Sequence, residues 1–249
     1  MLKRLSVENY ALIDKLDIAF APGLNIITGE TGAGKSILLG ALGLILGNRG
    51  DVAAIRDAQR NCVIEAEFDL SGYRLEGLFA SFDIDYDQQC MIRRVITPAG
   101  KSRAYVNDLP VQLAALRAIG ERLIDIHSQH QTLLLGESRF QTALLDSVAA
   151  HAQLPTIIFD EIDTGVSGAI ADKMGEIITN LSGSLQVVNI THLPQVASKG
   201  DHHFLVYKEE TPEGTLSRIR KLSSEARVAE IAKMLSGSAV TAAATEQAR

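Results

Sequence analysis

The sequence contains no tryptophan, and aromatic residues make up only 5% of it. A broad surface for stacking nucleic-acid bases is therefore not expected. The two cysteines, Cys62 and Cys90, have no C-x-x-C partner, which favours buried thiols in a reducing compartment over a disulfide framework. The longest apolar run, residues 37–47, is too short to span a bilayer, and no signal peptide is visible at the start. We therefore expect a soluble, cytoplasmic protein that does not enter a membrane.

The charge balance also limits the function classes. The 249 residues carry a formal net charge of −6, which argues against a surface coated with basic patches for nucleic acid, although a local patch remains open. Apolar residues make up 46% of the chain, enough for a packed core, so the chain is expected to form one large domain or two small ones.

The most informative stretch is residues 29–36, G-E-T-G-A-G-K-S, which fits the phosphate-binding pattern G-x-x-x-x-G-K-[ST] at every fixed position. An apolar run at 24–28 predicts a buried strand before it, and 37–46 predicts a buried helix after it. Where a strand, a glycine loop and the start of a helix meet, free backbone N–H groups point to one anion site. We expect Lys35 to reach the β- and γ-phosphates and Ser36 to ligate Mg²⁺. The predicted nucleotide contacts in this loop are Gly29, Glu30, Thr31, Gly32, Ala33, Gly34, Lys35 and Ser36.

The remainder of the first half is rich in strand signals. Alternating runs predict strands at 2–7, 16–20, 61–70, 89–97 and 102–107, a helix at 111–122 and a short strand at 123–126. The turn at 98–101 makes 89–107 a hairpin. Arg93, Arg94, Lys101 and Arg103 give this hairpin a basic character, which favours a solvated face and leaves a DNA-contacting face open.

The pattern changes from residue 154 onward to alternating strands and helices. Strands are predicted at 156–159, 185–190, 203–207 and 215–221, and helices at 168–181, 194–198 and 225–235, after an amphipathic helix at 140–150 that precedes the change. The tail after residue 240 is expected to fray. Such alternation implies a mostly parallel sheet that is covered on both faces.

Two acids end the apolar strand at 156–159. Ligands of open α/β sheets lie beyond the carboxyl ends of the strands, so Asp160 is expected beside the phosphate loop, where it would hold Mg²⁺ through its water shell. Glu161 would orient and deprotonate the attacking water. His192 follows the next strand, where it could contact the γ-phosphate, and Gln129 could ligate Mg²⁺ or hold the water. His127 and His130 lack further ligands at zinc spacing.

These motifs occur in the order seen in the heads of ATP-binding-cassette ATPases, and the chain most resembles their SMC-like branch. The resemblance rests on residues 28–36, 126–130, 158–168 and 191–197, and it covers nearly the whole chain. It implies an α/β P-loop NTPase head with a mostly parallel sheet core and an N-terminal antiparallel β subdomain. Halves 1–150 and 151–249 would form one globular head.

The resemblance also implies roles. Lys35 and Ser36 would bind phosphates and metal, Gln129 would form the Q-loop, and Asp160 would be the Walker B acid. Glu161 would be the catalytic base, Asp163 would contact nucleotide from the D-loop, and His192 would be the switch histidine. Such heads bind ATP and Mg²⁺, form homodimers around two ATP molecules, and couple hydrolysis to holding DNA during double-strand break repair near the nucleoid.

One departure from the pattern concerns the region between the halves. Only residues 140–153 separate them, with no heptad run, and no L-S-G-G-E-like signature precedes residue 156. The junction of a missing coiled coil would lie at 149–154. Without the signature a dimer lacks donors for the partner's γ-phosphate, so slow hydrolysis is expected. A nucleotide-gated structural clamp remains the alternative to an active ATPase, whereas the absent signature argues against a transporter subunit.

Overall fold

The computed structural model of the chain describes residues 1–30, 34–128, 154–212, 214–237 and 242–248. Twelve strands in these residues form two six-stranded sheets. The predicted helix at 140–150 and all but the last residue of the predicted junction at 149–154 lie outside the described residues.

The first sheet is antiparallel throughout, with the strand order β2-β1-β4-β5-β6-β7. Strand β4 alternates buried and half-buried side chains along its length, as a strand with one face on the core does. The strands of this antiparallel sheet are β1 (Leu2–Tyr10), β2 (Ile13–Ala19), β4 (Cys62–Asp69), β5 (Gln89–Ile96), β6 (Ser102–Val106) and β7 (Leu109–Val111).

The second sheet is parallel except at one edge, with the order β12-β11-β3-β10-β9-β8. Only β12 runs antiparallel to its neighbour. Strands β9 and β10 are almost fully buried, as expected for strands covered on both faces. The strands of this parallel sheet are β3 (Leu24–Gly29), β8 (Ile124–Ser128), β9 (Thr156–Asp160), β10 (Gln186–Ile190), β11 (His202–Thr211) and β12 (Gly214–Lys221). The predicted combination of a mostly parallel core and an antiparallel subdomain is confirmed.

Helix α1 (Lys35–Ile45) lies between the two sheets. Its buried residues Leu38, Ala41, Leu42 and Ile45 belong to one apolar cluster with residues of both sheets. A fully buried leucine stabilises a fold by about 2 kcal/mol relative to an exposed one, so this helix ties the sheets together.

The opposite face of the parallel sheet is covered by α4 (Gly168–Ser182), whose Met174, Ile178 and Leu181 share an apolar stripe. Together with Ile157 and Phe159 of β9 they form a second apolar cluster. The remaining helices are α2 (Glu76–Ala80), α3 (Leu113–Gly120), α5 (Pro194–Ala197), α6 (Ser224–Ser236) and α7 (Ala242–Gln247), with a 3₁₀ turn at Val52–Ala54. Among the described residues, no helix combines the length and hydropathy that a membrane crossing requires.

Two local predictions were wrong. The tail forms α7, which packs against α6 and buries Ala244, rather than fraying, and alanine has the highest helix propensity. The helix predicted from residue 111 begins at Leu113, because Leu109–Val111 pairs with β6 as an edge strand. Pro110 cannot donate to a sheet ladder and is tolerated at an edge.

A buried hydrogen-bond network joins the first strand to the second half of the chain. The Leu2 N–H donates to Thr156 Oγ1 at 3.0 Å and to Gln186 Oε1 at 2.8 Å. The Gln186 amide donates in turn to the carbonyl oxygens of Leu2 at 2.8 Å and Ala21 at 2.9 Å. Thr156 and Gln186 are buried, so these polar groups depend on one another for partners.

We expect Gln186→Leu to lower the free energy of unfolding by about 3 kcal/mol, because it removes two donors and one acceptor and leaves buried backbone groups without partners. Urea denaturation followed by circular dichroism measures this change. The exposed Gln88 offers a matched control, for which Gln88→Leu should change stability by less than about 0.5 kcal/mol. Equal effects at the two positions would contradict the importance of the network.

Candidate active site

The carboxyl ends of four parallel strands meet at one edge of the parallel sheet. The register pairs Ile27 of β3 with Ile190 of β10, Ile190 with Asp160 of β9, and Asp160 with Ser128 of β8. The residues that follow these strands therefore emerge side by side. This edge is where ligands of open α/β sheets bind.

Strand β10 lies between the strand that leads into the glycine loop and the strand that ends in the two acids. The loop that begins at Thr191 is therefore inserted between them, and the Thr191 N–H donates to the Ile27 carbonyl at 3.1 Å. His192 follows directly and is exposed at this edge.

Two glycines shape the described parts of the phosphate loop. Gly29 has φ 154° and Gly34 has φ 120°, values that other residues rarely adopt. A Cβ on Gly29 would overlap the Val206 carbonyl oxygen, and one on Gly34 would lie 2.6 Å from Ser217 Oγ. Glu30 lies between the strand and the loop, with an ion pair of 3.2 Å to Lys233 of α6. The predicted contacts Thr31, Gly32 and Ala33 lie outside the described residues.

Lys35 contacts Glu161 across this edge. Its Nζ lies 2.9 Å from Glu161 Oε1, and its side chain is 7% exposed against 31% for the carboxylate. Lys35 begins α1, and no side chain of the described residues caps that helix start. The first turn therefore adds backbone N–H groups to the positive charge of Lys35 at one point.

Glu161 holds an unusual backbone conformation, with φ 48° in the left-handed region. Its N–H donates to the Ile190 carbonyl at 2.9 Å, and its own carbonyl accepts from the Thr164 hydroxyl at 2.8 Å. A non-glycine residue in this region costs on the order of 1 kcal/mol and persists when the surroundings fix it. The turn thereby aims the Glu161 carboxylate at Lys35.

Asp160 and Ser36 line one cleft of about 800 Å³ beside this pair. Burial raises the pKa of the Asp160 carboxyl, the charge of Glu161 raises it further, and Lys35 opposes the rise. A hydroxyl and a carboxylate are oxygen ligands of the kind that Mg²⁺ prefers. Ser128 lines the same cleft, but the next residue, the predicted ligand Gln129, lies outside the described residues.

Asp163 is buried and turned toward Thr191. The Thr191 hydroxyl donates to Asp163 Oδ2 and accepts from the Leu193 N–H at 2.9 Å. Burial raises the pKa of Asp163, while the hydrogen bond to Thr191 and the charge of His192 lower it. The nucleotide contact predicted for Asp163 stays a prediction, since its described partner is Thr191. Sequence reasoning missed Thr191, although a polar residue at the end of an apolar strand was a usable signal.

His127 lies at the end of β8, 2.9 Å from Asp125 Oδ2, with its ring against Phe159. His130, the other member of the pair considered for zinc, lies outside the described residues. No group of three or more metal-ligating side chains occurs in the described part of the chain.

A buried histidine is hydrogen-bonded to the residue that precedes the phosphate loop. His203 Nε2 is hydrogen-bonded to Thr28 Oγ1 at 2.8 Å, one residue before Gly29. Burial lowers the pKa of His203 to about 4, so the ring is neutral at pH 7. Sequence reasoning missed this contact, because β11 pairs with β3 only through the folded topology.

We expect the protein to lose stability as the pH falls from 7.5 to 5, with a His203 contribution of about 2 kcal/mol. The unfolded chain binds this proton near pH 6.5, whereas the folded chain resists it until about pH 4. Urea unfolding at both pH values, compared between the parent and His203→Gln, measures the contribution. His202→Gln at the half-buried neighbour is the comparison, and because burial lowers the pKa of His202 less than that of His203, it should remove a smaller part of the pH dependence. An equal pH dependence in parent and His203→Gln would contradict the assignment.

A sequence profile of the RecF/RecN/SMC N terminal domain family matches residues 1–214. Among curated proteins, the chain is 42% identical over 151 residues to DNA repair protein RecN of Bacillus subtilis, which covers 60% of this chain and 26% of that protein. It is 37% identical over 155 residues to DNA repair protein RecN of Vibrio cholerae, covering 62% of this chain and 28% of that protein. The chain thus spans about a quarter of the length of these relatives.

Solved structures of SMC heads share the fold. The SMC head domain from Thermotoga maritima matches with a TM-score of 0.67 at 17% identity, covering 89% of this chain and 99% of that one. An SMC head solved with the C-winged helix domain of ScpA matches with a TM-score of 0.69 at 14% identity, covering 90% and 98%. The predicted SMC-type head fold is confirmed. With a profile match over most of its length, the chain belongs to the RecF/RecN/SMC N-terminal domain family.

Proposed function

We propose that this chain is the ATP-binding and ATP-hydrolysing head of an SMC-like protein that acts in DNA double-strand break repair and recombination. The observation that carries the proposal is the 2.9 Å contact between Lys35 and Glu161, which are far apart in sequence. It supports a single reaction centre made from the phosphate loop and the acid-tipped strand. The relatives named DNA repair protein RecN support the cellular role.

Nucleotide binding would begin by exchange of a counter-ion. Lys35 is almost fully buried, and Glu161 neutralises it in this structure. An incoming γ-phosphate would replace Glu161 as the partner of Lys35. Gly34 and the first turn of α1 would donate backbone N–H groups to the phosphates. The released Glu161 carboxylate would then turn to the attacking water as its general base.

Mg²⁺ fits the oxygen ligands that line the neighbouring cleft. Ser36 would ligate the ion directly and Asp160 through water, with Gln129 as a further ligand predicted from the sequence. Bound there, Mg²⁺ would neutralise charge that develops on the transferring phosphoryl group. Burial raises the pKa values of Asp160 and Asp163, because too little positive charge lies near their carboxylates. This supports the binding of a cation at this edge.

The loop after β10 would sense the γ-phosphate. His192 stands exposed at the strand edge, and Thr191 ties its loop to Asp163. A movement of the His192 loop would therefore shift Asp163, and a movement of Asp163 would shift that loop. In a homodimer formed around two ATP molecules, this link would connect the switch histidine to the D-loop that faces the partner. DNA would be held by the longer protein of which this head forms a part, close to the nucleoid.

We expect Glu161→Gln to bind ATP more tightly than the parent, by about threefold to tenfold, because the neutral amide competes less for Lys35. The same change should lower single-turnover hydrolysis by on the order of 10²–10⁴-fold through loss of the base. Lys35→Ala removes the same ion pair together with the phosphate contact, and should weaken ATP binding instead. Titration of a fluorescent ATP analogue and quenched-flow hydrolysis measure both quantities.

Glu176→Gln on the exposed face of α4 removes the same charge far from this edge and serves as the control. Unchanged hydrolysis in Glu161→Gln would contradict its role as base. If Glu161→Gln keeps ATP-dependent association while hydrolysis is lost, binding rather than turnover drives association, as the clamp alternative requires.

The sequence has no L-S-G-G-E-like signature before Thr156, and such donors stabilise the partner's γ-phosphate in a dimer. We therefore expect steady-state ATP turnover at least about tenfold slower than that of full-length RecN from Bacillus subtilis, with ATP affinity kept. A coupled phosphate-release assay on both proteins measures this difference. Equal turnover would contradict the need for the signature.

A further inference from the structure

An arginine-lined cavity of about 530 Å³ opens on the antiparallel sheet, away from the nucleotide edge. It lies between the loop that follows α1 and the hairpin formed by β5 and β6. Arg49, Arg94 and Arg103 line it, together with Ser102 and small or apolar residues. No carboxylate occurs among its described lining residues. We call it the arginine cavity.

Arg94 forms the floor of this cavity. It lies on β5 between Ile92 and Ile96 on the core-facing side, and it is only 3% exposed. One of its terminal nitrogens donates to the Asn48 carbonyl at 3.3 Å, and its Nε has no partner among the described residues. A guanidinium stays charged at any physiological pH, so a buried one without a carboxylate is unfavourable unless an anion joins it.

The neighbouring residue, Arg93, has a guanidinium group with carboxylate partners. Arg93 points to the other side of β5, where it pairs with Glu65 and Asp108 and lies over the Tyr105 ring. The basic hairpin therefore divides into two faces. The Arg93 face is neutralised by the protein itself, whereas the Arg94 face is not.

Two further arginines stand at the mouth of the cavity. Arg49 and Arg103 are exposed, and neither forms an ion pair within the described residues. The loop that carries Arg49 is fixed against the hairpin, because a Cβ on Gly50 would lie 2.6 Å from Ile96 Cδ1. Since the whole chain has a net charge of −6, this positive region is local.

We propose that the arginine cavity binds a phosphate group of a DNA backbone. Guanidinium groups bind phosphate oxygens through paired N–H donors, and three of them face one space here. None of the described residues that line the cavity is aromatic, which favours contact with the DNA backbone over contact with bases. The exposed Lys101 in the hairpin turn extends the basic surface beyond the mouth. The choice of DNA as the polyanion rests on the proposed function.

The site is separate from the nucleotide. Asn48 lies beyond the last residue of α1, whereas Lys35 is the first, and eleven helical residues span about 16 Å. DNA binding at the cavity can therefore be measured without ATP. Loss of ATP binding in Lys35→Ala should leave it unchanged, which separates a failure of this proposal from a failure of the proposed ATPase.

The decisive variant is the surface pair Arg49→Gln with Arg103→Gln, because both side chains are exposed and the fold does not need them. Fluorescence anisotropy with a labelled duplex of about 30 base pairs, over a series of salt concentrations, gives affinity and salt dependence. We expect the pair to weaken binding at least about tenfold and to lower the salt slope by about 1, the value for the single phosphate that the cavity holds. The control Lys173→Gln with Lys208→Gln removes two exposed positive charges elsewhere and should change affinity less than about twofold.

Arg94 provides a second readout that a purely structural role would not give. Arg94→Met removes a buried charge without a carboxylate partner, so it should raise the melting temperature while weakening DNA binding. Arg94→Lys keeps the charge but loses the paired donors, so it should weaken binding while keeping the salt slope. A lower melting temperature with unchanged DNA affinity in Arg94→Met would overturn the proposal.

Titration with inorganic phosphate separates the two sources of the anion. Competition only at millimolar phosphate supports a backbone site. Saturable phosphate binding that the surface pair abolishes, with DNA affinity unchanged, would instead assign the cavity to free phosphate and overturn the proposal. Equal losses of DNA affinity in the surface pair and in the lysine control would show that net charge alone drives DNA binding. That result would also overturn the proposal.

Discussion

Parallel pairing of β3, β10, β9 and β8 is the constraint on which the candidate active site depends. Residues from both halves of the chain share one sheet edge only because this register holds. The pairing itself is supported at its other end, where Gln186 and Thr156 are hydrogen-bonded to each other and to the backbone of Leu2 in the first strand. A small polar network at one end of the sheet thus helps to fix the candidate active site at the opposite end.

Most of this architecture was predictable because the signals are local. The glycine loop between an apolar strand and an apolar helix fixes the position of Lys35, and two acids at the end of β9 follow the general rule for open sheets. Five of the six strands of the antiparallel sheet were visible from their alternation, whereas the short edge strand β7 was not. The tail helix α7 was missed because its helix propensity takes effect only when α6 offers a surface on which it can pack.

The contacts of the site could not be predicted, because they are made between strands that are distant in sequence. The hydrogen bond between Thr28 and His203 requires knowledge that β11 pairs with β3, and the one between Thr191 and Asp163 requires the turn at Glu161. The burial of Arg94 is a different case. The period-two alternation from Cys90 through Ile92 to Ile96 already places Arg94 on the core side. Its burial was not predicted from this pattern because charged residues are usually exposed.

The close approach of Ser217 to Gly34 has a consequence for how the glycine loop tolerates change. Ser217 lies on β12, its hydroxyl sits beneath the loop, and its N–H donates to the Leu12 carbonyl at 2.9 Å. A slip of one residue in the β11–β12 pairing would bring Leu216 or Arg218 to that place and push the loop outward. Insertions into the β11–β12 ribbon would therefore disturb the geometry of the candidate active site from a distance.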